Sequence, residues 1–125
     1  MTPYTRILKN ALGFMWDTKL FCVHHINHNH KDNRLENLLL MPKRMHGKYH
    51  LCQQVVESSR LCERTLDNSY LFNQSIFIDY INIKADMTQL RNSQYELMNH
   101  RSYNCNFDVE RYVYTTLVPI YNKYL

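Results

Sequence analysis

The sequence predicts an α+β fold, with two short strands joined by a polar loop leading into a helix, then a mostly helical C-terminal region. Three observations carry this expectation. The apolar runs at 20–26 and 35–41 bracket the polar stretch 27–34, as two strands bracket an extended turn. Pro42 follows at once, at a position suited to the first turn of a helix over 42–61, where its missing N–H would be unsatisfied anyway. Beyond residue 69, apolar side chains recur mostly at helical intervals.

In chain order, Tyr4, Ile7, Leu8, Leu12, Phe14, Met15 and Trp16 recur at roughly helical spacing, with Gly13 as a break and Trp16 expected to pack on the core. Gly47 inside the 42–61 helix costs up to ~1 kcal/mol against alanine, so a packing or approach reason is expected there. At 76–81, Ile76, Ile78 and Tyr80 alternate with Phe77, Asp79 and Ile81, and periodicity leaves strand and helix open. Met87, Leu90, Tyr95, Leu97 and Met98 predict an amphipathic helix over 86–100. A last helix is expected at 108–124, acidic in its first turn, with Lys123 near its end and Pro119 kinking it. The expected organisation is a core with its N-terminal lead-in over 1–65 and an accessory region over 66–125, packed on it as one unit.

A chain of 125 residues that is 45% apolar can bury one modest core. Its net charge of +4 is concentrated: Lys19, Lys31, Arg34, Lys43, Arg44 and Lys48 stand against Asp32 and Glu36 between residues 19 and 50, and the remainder balances. A basic window suits a polyanionic partner. Cys22, Cys52, Cys62 and Cys105 form no CxxC pair or disulfide framework and are expected to be buried free thiols. No run approaches the ~18 apolar residues of a membrane span and the N-terminus lacks signal-peptide order, so the expected compartment is intracellular: cytoplasmic, including that of a phage-infected host. Abundant asparagine, ten tyrosines and only two glycines fit an AT-rich coding sequence, such as a phage or organellar gene.

The chemistry lies in the histidines. His46 and His50 are four apart on the expected helix, so both imidazoles project from one face and can reach one ion. His24 and His25 are neighbours on a strand, where successive side chains point to opposite faces, so their roles should differ. Val23-His24-His25-Ile26, Leu35-Glu36-Asn37-Leu38 and Met45-His46-Gly47-Lys48-Tyr49-His50 together resemble the HNH nuclease motif, the ββα-metal (His-Me finger) site that hydrolyses DNA phosphodiesters.

The resemblance covers about residues 20–50. It implies that His24, His46 and His50 hold a divalent metal ion, that His25 is the general base activating water, and that Asn37 bonds backbone across the loop. It also implies hydrolysis to 5′-phosphate and 3′-hydroxyl ends. An imidazole with an ordinary pKa near ~6.5 suits the base role at neutral pH. Many family members carry aspartate where this chain has His24. An all-imidazole cradle favours zinc or nickel over magnesium, although magnesium or manganese could support turnover. His28 and His30 depart from the family's small loop residues; they read as phosphate contacts or bystanders, since a ligand role would need the loop to fold back. Lys31, Arg34, Lys43, Arg44 and Lys48 flank the site where they can meet DNA phosphates, giving affinity with little sequence choice. His100 is remote and expected to be ordinary.

The leading expectation is a metal-dependent DNA endonuclease, of nicking or homing type and of phage or mobile-element origin. One such site cuts one strand, so double-strand cleavage needs a dimer or two successive events; the assembly state stays open. The alternative is a non-catalytic metal-containing DNA-binding module, against which an intact His25 argues. A third reading, a regulatory or toxin-like protein, rests on the C-terminal half binding a partner.

Overall fold

A computed structural model describes residues 2–61 and 68–125. The expected boundary at 65/66 and Cys62 lie outside the described residues. The first helix, α1 (Pro3–Leu12), starts on Pro3 and buries Leu8 and Leu12, one turn apart, while Gly13 ends it in the left-handed conformation (φ 79°) with its N–H on Lys9 O. Arg101 Nη1 donates to the carbonyls of Asn10 and Ala11 at 2.7 and 2.6 Å, filling acceptors that a helix end leaves open. Trp16 packs partly buried against the core, with the Lys9 ammonium 5.0 Å from its ring centre.

Strands β1 (Phe21–His25) and β2 (Leu38–Pro42) pair antiparallel, His24 opposite Leu39 and His25 opposite Leu38. The first is one residue shorter than expected at each end, and the second starts three residues later and ends one residue later than expected. Leu35–Asn37, expected as the start of the second strand, instead forms a single tight helical turn in which Asn37 N–H bonds Arg34 O. Pro42 is also not in the helix: it closes β2 opposite Phe21, and α2 (Lys43–Leu61) begins on the next residue. A helix N–H still serves the hairpin, because Lys43 N–H donates to Leu20 O at 2.8 Å. Gly47 has no packing reason among the described residues, since an added Cβ would meet none of them within 4 Å.

Every residue of β2 is buried. The reason is α3 (Asn68–Tyr103), which absorbs both the undecided 76–81 segment and the expected 86–100 helix and packs on α2, β2 and α1. Ile83, Leu90 and Leu97 are its fully covered apolar contacts, spaced at seven residues along one face. Gln94, buried in that face, accepts from Leu40 N–H at 3.1 Å and donates to Leu40 O at 3.0 Å. Tyr121 O–H reaches the same carbonyl at 3.1 Å.

The expected terminal helix is broken into α4 (Val109–Tyr112), a wider turn over Val113–Leu117 and α5 (Val118–Tyr121). Asp108 caps it by accepting from Arg111 N–H. Pro119 removes a donor and would crowd the carbonyl four residues back, and the wide turn just before it relieves that conflict. Lys123 serves no helix end; it pairs with Asp86 on α3 at 3.2 Å. His100 stacks on Phe107 at 4.6 Å, a packing role. Cys52 is buried as expected, but Cys22 is only half-buried and Cys105 is exposed, in the turn that follows α3. Among the described residues, no helix is long and apolar enough to cross a membrane.

Candidate functional site

Because α2 starts directly after β2, its first two turns lie beside β1. This carries His46 and His50 to the face of the hairpin where His24 points. His24 Nδ1 lies 3.1 Å from His46 Nε2, which lies 2.9 Å from His50 Nε2, and one nitrogen from each ring falls within 4.8 Å of the others. Burial, then the neighbouring His46 and His50, lowers the His24 pKa to about 3. Burial and His50 lower that of His46 to about 4, and His50 is lowered by burial and His28. At neutral pH the cluster therefore presents imidazole lone pairs, with no carboxylate among the three. That donor set suits a borderline divalent cation.

His25 points the other way and is only 3% exposed. Its Nε2 lies 2.9 Å from Asn33 Oδ1. A carboxamide oxygen can only accept, so Nε2 carries the proton and Nδ1 keeps its lone pair. That Nδ1 is buried and, among the described residues, has no hydrogen-bond partner. Tyr4 from α1 stands edge-on to the ring at 4.9 Å, and His30 lies 5.0 Å away on the loop. Neighbouring histidines on one strand thus have different surroundings.

Asn37 is buried and ties the loop: Oδ1 accepts from Asn27 N–H and Nδ2 donates to Asp32 O, both at 2.8 Å. Asn27 in turn accepts from Asn29 N–H and donates to Asp32. Between Asn27 and Asn29, His28 adopts a left-handed backbone (φ 64°) that folds its ring toward the histidine trio, 5.5 Å from both His24 and His50. The loop folds back at this residue, which brings His28 beside the trio. Tyr49 walls the cluster, 5.5 Å from the His24 ring and 5.3 Å from that of His50, and stacks on Tyr80.

The flanking cations differ in their surroundings. Lys31, Lys43, Arg44 and Lys48 are exposed. Lys48 stands 4.0 Å from Asp79. Lys43 lies beside Cys22, whose thiol is pushed up to about 11 by burial against the opposing effect of that lysine. Arg34 is spent within the loop, on Asp32 at 2.8 Å and Glu36 at 3.1 Å, and its hydrogen bond holds the Asp32 carboxyl below the usual carboxylate range.

Sequence reasoning did not single out Asn33, Tyr4 or the approach of His28. Asn33 had a usable signal, a second amide four residues before Asn37 in the same loop. Tyr4 had none, because its contact with His25 spans the lead-in helix.

Residues 8–48 match the family model described as HNH endonuclease. The span includes His24, His25, Asn33, Asn37 and His46, and stops two residues before His50. No curated protein and no solved structure matches the chain.

Proposed function

We propose, from the HNH endonuclease match at residues 8–48, that this protein is a metal-dependent DNA endonuclease producing 5′-phosphate and 3′-hydroxyl ends. The observation that carries the reading is the unpartnered, buried Nδ1 of His25, its tautomer fixed by Asn33, on the strand that also supplies His24 to the trio. A buried acceptor left unpaired costs about 1–3 kcal/mol, a cost expected where the atom has a reactant to bind.

In this reading His24, His46 and His50 hold a divalent ion, zinc or nickel by donor preference, with magnesium or manganese as candidates for turnover. Bound there, the ion supplies Lewis-acid stabilisation of the charge developing on phosphate and on the departing 3′ oxygen. His25 Nδ1 takes the proton from water as the water oxygen attacks phosphorus and the P–O3′ bond breaks. Asn33 holds Nε2–H so that the lone pair stays at Nδ1. Asn37 keeps the loop in register with the hairpin. Lys31, Lys43, Arg44 and Lys48 meet the phosphates, and Arg34 contributes after exchanging an internal partner. Residues 1–65 act as the nuclease part and 66–125 as its support.

The test is conversion of supercoiled plasmid to open circle or linear DNA across a metal panel, with His25→Ala alongside. Loss of about 100-fold or more in rate with metal binding retained is expected for the variant. DNA binding without cleavage by the wild type under every metal would leave the non-catalytic module instead.

A further inference from the structure

We propose that His28 is a fourth imidazole ligand, closing the metal cradle of His24, His46 and His50 while DNA is absent. The inference rests on the metal-site reading above and adds a residue to it. Rings of His24, His28 and His50 form a triangle with all three centre-to-centre separations at 5.5 Å. Imidazoles bound tetrahedrally to one ion at the usual ~2.0–2.1 Å place their ring centres about 5 Å apart. His28 stands near that separation from His24 and His50, while the nitrogens within 4.8 Å of one another are those of His24, His46 and His50, so ligation requires a small inward movement of the His28 ring.

The backbone points to the same role. A left-handed conformation costs a side chain with a Cβ roughly 1–2 kcal/mol, and glycine or asparagine would occupy φ 64° more readily than histidine. Here the conformation is imposed from both sides. Asn27 is fixed by Asn37 and Asp32, Asn29 N–H is held by Asn27, and His28 N–H is bonded to His25 O. This network aims an exposed loop imidazole at three buried or half-buried ones. With four imidazoles the resting site has the closed coordination of a structural zinc centre, and phosphate must displace His28 to enter.

The experiment is cobalt(II) titration of the full chain by visible absorption, and zinc competition against a chelating dye, comparing wild type with His28→Asn and His28→Gly. Both substitutions suit a positive φ, so the thermal midpoint without metal should not fall, and a weakened site is then not a folding defect. Both variants should bind metal at least roughly 10-fold more weakly, the lower end of what even an outer-shell partner contributes. Their cobalt bands should weaken and move to lower energy as oxygen replaces nitrogen. Unchanged spectra and affinity in both variants would overturn the fourth-ligand role and leave the trio standing. A wild type that binds neither cobalt nor zinc would overturn the trio as well.

Discussion

Replacing Asn33 with leucine removes the acceptor for His25 Nε2–H, at 2.9 Å, and leaves the shape of the loop side chain nearly unchanged. The bond is half-buried and neutral, so its loss should cost about 0.5–1.5 kcal/mol of stability. The catalytic effect should be larger. Without Asn33, the imidazole can carry its proton at either nitrogen and turn about χ2, and only one of those states has its lone pair at Nδ1. Outer-shell partners of this kind are worth roughly 10–100-fold in activity. The assay is the initial rate of plasmid nicking, with the rate constant falling and the DNA concentration for half-saturation unchanged, and with zinc affinity retained. The diagnostic comparison is a double-mutant cycle: Asn33→Leu should have almost no further effect on His25→Ala, since a positioning residue has nothing left to position. An equal loss in both backgrounds, or wild-type rate in the single variant, would refute the reasoning.

Three further outcomes follow from the geometry. His24 and His46 have pKa values lowered to about 3 and about 4 by burial and by neighbouring histidines, against about 6.5 in the unfolded chain, so the unfolded state takes up protons first. The stability they contribute is present above pH 6.5 and lost as pH falls toward 4 and below; the urea midpoint of metal-stripped protein, followed from pH 7 downward, should decline across that range. Gln94→Leu should cost about 1–3 kcal/mol, read by urea unfolding, because it strips the buried Leu40 N–H of its acceptor. Gly47→Ala meets open space and a helical backbone, so the thermal midpoint should rise, by up to about 1 kcal/mol in stability.

The hairpin and the helix after it are legible because their signals are redundant: apolar runs, a polar interval and an i,i+4 histidine pair all point to one arrangement, even though Pro42 closes β2 instead of opening the helix. Leu35 was misassigned because an apolar residue beginning a tight turn looks the same as one beginning a strand. The 76–81 segment stayed ambiguous for a different reason. Phe77, Ile78 and Ile81 are exposed by 46, 56 and 50%, so three of its apolar residues point away from the core and mask the helical face on which Ile76, Tyr80 and the neighbouring Ile83 pack. In the site, spacing along strand and helix brought His24, His46 and His50 into view. His28 and Asn33 depend on the path of a loop held by amide side chains, which spacing does not encode.

The amide of Gln94 has a consequence for portability. With β1 on one side of β2 and Gln94 with Tyr121 occupying Leu40 on the other, the hairpin offers no open edge at its centre for another strand to join. That closure comes from residues far beyond the 8–48 family match. Excised from α3, the matched segment would expose a short, wholly apolar strand with vacant backbone groups, a template for self-association. The long helix therefore shields the hairpin that carries His24 and His25, and transplanting the histidines to another scaffold requires transplanting an equivalent of Gln94 with them.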